Sequence, residues 1–96
     1  MAELKTVAVI EVKEEYQKDI EIALGKFIDE TRKETGNISY DLHVDIHNSL
    51  KYTIIEVWKS EDAIVIHNNT SHFLEFKNAI DGKITDLKID IIKKIL

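Results

Sequence analysis

Hydrophobic and polar positions along this chain keep changing period, and each stretch of constant period predicts one element. Thr6–Val12 (TVAVIEV) is β-branched and, apart from Glu11, apolar, the pattern of a strand with both faces covered. From Glu14 the period becomes helical, with Tyr16, Ile20, Ala23, Leu24, Phe27, Ile28 and Thr31 on one stripe and Ile22 off it. Glu14 and Glu15 suit the positive end of that helix. Glu14–Lys18 and Asp29–Lys33 are spaced as acid-first ion pairs, and Gly36 is placed to end the helix in a left-handed conformation. Ile38–Asp45 then alternates cleanly, with Ile38, Tyr40, Leu42 and Val44 on one side and polar residues on the other. Ile46–Leu50, with Asn48-Ser49, reads as a hairpin loop. Lys51–Trp58 is a third strand that puts Tyr52, Ile54, Glu56 and Trp58 on one side.

Ser60 is a good helix N-cap, followed by Glu61 and Asp62 in a first turn and by Ala63, Ile64 and His67 at helical spacing. Asn68-Asn69 predicts a break, because asparagine tolerates left-handed backbone. Thr70 caps a second helical piece carrying Phe73, Phe76 and Ile80, and Gly82 closes it. Ile84–Ile95 alternates Leu87, Ile89 and Ile91 against Asp86, Lys88 and Asp90, a long fourth strand. The order β-α-β-β-α-β predicts an α+β, ferredoxin-like domain spanning residues 1–96, a four-stranded antiparallel sheet with its helices on one face. The uncovered face carries Ile, Val and Thr among scattered charges, too apolar to leave in water, so a homodimer stacked through the sheets is expected.

Composition narrows the function. A chain of 96 residues buries only about two thirds of the surface its unfolded form exposes, a further reason to expect a partner subunit. The balance of 18 acidic to 13 basic residues gives a net charge of -5 without a basic stripe, which argues against nucleic-acid binding. The absence of cysteine excludes disulfides, thiolate metal sites and thiol nucleophiles. No apolar run approaches a membrane span, and Met1–Lys5 lacks a signal-peptide core, so a cytoplasmic protein is expected.

Four histidines, one tryptophan and a few carboxylates are the candidates for chemistry. On an unbroken helix, His67 and His72 would stand ~140° apart, unlike the paired histidines of a helical zinc site. The break at Asn68-Asn69 could reorient them, but the sequence suggests no third ligand, and no metal is expected. Taken alone, each histidine reads as a helix cap or a backbone partner. Trp58 reads as core or as the wall of a cavity mouth, and Glu56 must be paired, exposed or perturbed. His43 and His47 fall on a polar strand face and in a loop. There is no phosphate loop, nucleophile elbow or dinucleotide fingerprint.

The run Ile54-Ile55-Glu56-Val57-Trp58-Lys59-Ser60-Glu61-Asp62-Ala63, then His67, then Thr70-Ser71-His72-Phe73 and Phe76, resembles the antibiotic biosynthesis monooxygenases, including the quinol monooxygenases. Upstream, Glu34-Thr35-Gly36-Asn37-Ile38-Ser39-Tyr40 resembles that family's corner after its first helix. Two turns depart from it: Ser71 stands where proline is common, and Val12-Lys13-Glu14 lacks a Pro-Gly. The resemblance implies a dimeric α/β barrel with a pocket between helices and sheet, and oxidation of a quinol or similar small aromatic by O2 without a cofactor. Under that reading His67 or His72 assists proton transfer. Trp58, Tyr40, Glu56, Phe73 and Phe76 form the substrate site.

Related branches of the same fold fit less well. The haem-degrading branch carries an Asn on its first strand, a second Trp and a haem-ligating His. Thr6–Val12 has no Asn, and the other two positions align with His67 and Lys77. An isomerase branch acting on a phosphorylated molecule calls for a cationic cluster, and Arg32 is the only arginine. A dimeric binder of small apolar ligands is the non-enzymatic alternative.

Overall fold

The computed structural model describes residues 3–96; Met1 and Ala2, part of the stretch read above for a secretion signal, lie outside them. Strand β1 (Leu4–Val12) leads through a short 3-10 turn (Glu14–Tyr16) into helix α1 (Gln17–Thr31). Strands β2 (Asn37–Val44) and β3 (Lys51–Trp58) form the hairpin, then come helices α2 (Glu61–Asn68) and α3 (Ser71–Ile80) and strand β4 (Ile84–Ile92). The sheet order is β2-β3-β1-β4 and each neighbouring pair is antiparallel. This is the expected ferredoxin-like α+β fold.

The period-2 pattern decides which face meets the helices. Thr6, Ala8, Ile10 and Val12 of β1 and Tyr52, Ile54, Glu56 and Trp58 of β3 are buried, as are Ile20, Leu24, Phe27 and Ile28 of α1. Register lines up side chains across this covered face: Tyr40 stands beside Glu56, Glu56 beside Thr6, and Thr6 beside Ile91. A buried polar row thus crosses three strands, with apolar rows on the hairpin side of it. On the opposite face Val7, Val9, Thr53 and Val57 are half-buried and Ile55 is exposed.

Local structure departs from expectation at a few points, each with a physical reason. Both caps form as expected, the Ser60 and Thr70 side chains accepting from the amides of Ala63 and Phe73. The helix breaks at Asn69, but with φ -108 it turns without left-handed backbone, and Gly82 at φ 76 is the only positive-φ position among the described residues. Gly36 is therefore needed for closeness rather than handedness: a Cβ there would run into the Cβ of Ala63. Lys33 reaches Glu30 at 3.3 Å, one step nearer than Asp29. Strand β4 ends at Ile92, short of Ile95. No helix among the described residues is long and apolar enough to cross a membrane.

Candidate functional site

Small residues in the sheet leave space beneath the helices. Ala8 sits where its neighbours Ile54 and Ile89 are large, and the helical layer over the sheet is interrupted between α2 and α3 at Asn69-Thr70. A cavity of about 190 Å³ results, floored by Ala8, Ile10 and Ile54, roofed by Phe27, Ile64, Phe73, Phe76 and Ile80, and bounded on the β4 side by Leu87, Ile89 and Ile91. Phe27 and Phe76 stack face to face, with centroids 4.5 Å apart and planes 6° from parallel. A cavity of about 150 Å³ with apolar walls stays dry and accepts a benzene ring, so this one suits a single substituted ring.

The polar groups on its wall are few: Thr6, Tyr40, Glu56, His67, Asn68 and Lys77. Glu56 is 5 % exposed, and burial raises its carboxyl to about 7 even though the Trp58 indole and Tyr40 hydroxyl favour the charged form. Burial also pushes the Tyr40 hydroxyl far above its ordinary range, so it stays a neutral donor. The Thr6 hydroxyl is buried without a hydrogen-bond partner. Tyr40 is held from behind, because Arg32 donates through Nε and a terminal nitrogen to its carbonyl at 3.0 and 2.8 Å.

His67 comes to the cavity because Ala63, Ile64 and His67 form the buried stripe of α2. Its Nδ1 lies 2.7 Å from Glu34 Oε2, a carboxylate oxygen that must accept, so the proton sits on Nδ1 and the lone pair on Nε2. Burial lowers the His67 pKa from its ordinary 6.5, opposed by the Glu34 carboxylate. The ring is therefore neutral at pH 7 and able to accept a proton.

His72 Nε2 lies 2.7 Å from that same Glu34 oxygen, and the two imidazole centroids are 6.2 Å apart. The turn at Asn69-Thr70 thus brings together two rings that an unbroken helix would separate. His72 does not line the cavity; it faces a second depression with Ala23, Lys26, Glu30, Glu75 and Ala79. Trp58 does not line the cavity either. It is 0 % exposed, packs 4.6 Å from the His67 ring, and its indole N–H donates to Glu56 Oε1 at 2.9 Å. Of the residues named from sequence, Tyr40, Glu56, His67, Phe73 and Phe76 share the cavity, while Trp58 and His72 stand behind two of them.

Residues 4–79 match the antibiotic biosynthesis monooxygenase family. The chain belongs to that family. Among individual relatives of this antibiotic biosynthesis monooxygenase family member is Bacillus subtilis YcnE, which carries a provisional monooxygenase name; it is 33% identical over 69 residues, covering 72% of this chain and 73% of the relative. The crystal structure of PA3566 from Pseudomonas aeruginosa matches with TM-score 0.93 and 30% identity, over 100% of this chain and 97% of that one. A structure described as an antibiotic biosynthesis monooxygenase matches with TM-score 0.92 and 26% identity, over 97% of this chain and 99% of that one. Family membership supports a function of monooxygenase type.

Three residues of the site were not singled out from sequence. Phe27 looked like one more member of the α1 stripe, and nothing local distinguishes an aromatic that roofs a cavity from one that fills a core. Thr6 looked like ordinary strand composition. Glu34 stood within the quoted corner motif, but no local spacing links it to histidines 33 and 38 positions away.

Proposed function

We propose that this family member oxidises a quinol, or a similarly small phenolic aromatic, with O2, and that His67 Nε2 is the base. The observation that carries the proposal is a neutral imidazole, fixed by Glu34, at the polar edge of an otherwise apolar cavity of one-ring size. Removing a phenolic proton gives an electron-rich anion that can itself reduce O2. One oxygen atom then bonds to a ring carbon, the O–O bond breaks, and the second oxygen leaves as water. For hydroquinone the products are a hydroxyquinone and H2O, which balances with no further reductant.

Each residue has a task in that scheme. Phe27, Phe73 and Phe76 hold the ring, and their apolar surface keeps bulk water from the intermediate. The Tyr40 hydroxyl donates to Glu56, Glu56 in its protonated form donates a hydrogen bond to an oxygen atom of the ligand, and Thr6 offers a free hydroxyl. Trp58 positions Glu56. His72 supports the proton-accepting unit through the carboxylate it shares with His67. The working unit is a homodimer, since Val7, Val9 and Val57 are only half-buried and Ile55 is exposed on a face that no helix covers among the described residues. The lack of cysteine suits a reducing cytoplasm.

Oxygen uptake with a panel of reduced quinones, measured by electrode, tests the proposal. His67→Ala is expected to lower the rate about 100-fold or more. Saturable ligand binding with no oxygen uptake would identify a binding protein instead, and uptake unaffected by the substitution would remove His67 from the role.

A further inference from the structure

The carboxylate that joins His67 to His72 has more capacity than the proposed reaction uses. Glu34 Oε2 lies 2.7 Å from His67 Nδ1 and 2.7 Å from His72 Nε2, and the three atoms all fall within 4.8 Å of one another. They come from three segments: the corner after α1, the last turn of α2 and the first turn of α3. Glu34 Oε1 is buried and has no hydrogen-bond partner. A buried carboxylate oxygen without a donor forfeits its hydration, and such an atom calls for a partner that is cationic or protic.

We propose that Glu34, His67 and His72 bind one divalent transition-metal ion of the Zn2+ class. The donor set selects the ion. Two imidazole nitrogens and one carboxylate suit borderline cations such as Zn2+, Ni2+ or Cu2+, whereas Ca2+ and Mg2+ require oxygen ligands throughout. Three protein ligands also leave a coordination position for water. Nitrogen and oxygen ligands of zinc stand about 2.0–2.2 Å from the metal, so hydrogen-bonded atoms need move apart by only a few tenths of an ångström once the shared protons leave. The ion has a way in, because the His72 side chain is 18% exposed, whereas that of His67 is 4% exposed. No other three such donors lie within 4.8 Å of one another among the described residues.

Occupancy has a consequence that rests on the oxygenase reading. A metal on His67 Nδ1 displaces the proton from that nitrogen, and a neutral ring must then carry its proton on Nε2. The lone pair that the proposed base uses is lost, so the bound ion inhibits the reaction reversibly.

The test uses metal-stripped, full-length protein titrated with ZnCl2 against a chromophoric chelator, with calorimetry for stoichiometry. One Zn2+ per chain is expected, and His72→Ala and Glu34→Gln should each weaken binding by about tenfold or more. A His43→Ala, His47→Ala double variant should bind as the parent does. Binding that survives His72→Ala, binding lost in the His43/His47 variant, or no binding at micromolar Zn2+ each overturns the site. His72→Ala changes a partly exposed ring, so it carries the test if Glu34→Gln fails to fold. Binding is read without turnover: zinc binding by a protein that consumes no oxygen even when stripped of metal sinks the oxygenase reading alone, and oxygen uptake without zinc binding sinks the metal site alone.

Discussion

The Trp58 indole N–H donates to Glu56 Oε1 at 2.9 Å, joining two residues on the same face of β3. The contact couples a fully buried aromatic to the most perturbed carboxyl on the cavity wall, because the donor favours the charged form while burial disfavours it. Trp58→Phe keeps a ring and removes the donor. The carboxyl should then titrate above about 7, as read by carbon NMR of labelled glutamate. Stability should drop by about 1–3 kcal/mol from the lost hydrogen bond and the smaller ring.

Glu56 also makes stability fall as pH rises. Its folded-state pKa is raised from 4.5 to about 7, so the folded state holds its proton more tightly than the unfolded state does. The associated stability is complete below pH 4.5 and is lost as pH climbs to about 7, a change of no more than about 3 kcal/mol. Glu56→Gln should abolish this slope and raise the melting temperature at pH 8. Chemical denaturation at several pH values measures it, and an unchanged slope would show that Glu56 is hydrated.

His67 acts in the opposite sense. Its pKa is lowered from 6.5 by burial, so its contribution is present above 6.5 and is lost as pH falls through the lower folded value. The acid limb of the oxygen-uptake profile should therefore lie below pH 6.5. Glu34→Gln removes the charge that opposes burial, so it should shift that limb further toward acid while lowering the rate. A limb that did not move would disconnect Glu34 from the base.

Gly36 and Ala63 give a prediction about packing alone. The Gly36 carbonyl accepts from Lys59 N at 3.0 Å, so the corner after α1 is pinned against the start of α2. A Cβ at Gly36 would overlap that of Ala63, and neither a methyl group nor backbone can swing aside. Gly36→Ala should cost about 1–3 kcal/mol in denaturant melts. Adding Ala63→Gly should restore part of the loss, which a purely conformational effect at Gly36 would not allow.

The framework was legible because it follows from periodicity. The stripe from Ile20 to Thr31, the alternation of Tyr52 to Trp58 and the caps at Ser60 and Thr70 are local patterns with local causes. The left-handed turns expected at Gly36 and Asn69 were misread for the complementary reason. Whether glycine serves handedness or a close approach depends on Ala63, which is remote in sequence. The site divides the same way. Tyr40, Glu56, His67, Phe73 and Phe76 could be named because their elements dictate their faces. The bond from Glu34 to two imidazoles could not, since it depends on how a corner and a helical break meet in space. Trp58 shares a strand face with Glu56, yet the sequence does not say that one lies behind the other.

Strand β4 gives the cavity an apolar wall that is itself partly exposed. Leu87, Ile89 and Ile91 form its wall, yet they are 46%, 54% and 55% exposed on a strand at the sheet's margin. This wall is thus greasy, and it lies at the end of the polar row opposite Tyr40. A ring bound here therefore meets hydrocarbon along β4 and hydroxyl or carboxyl groups only along Thr6, Glu56 and Tyr40.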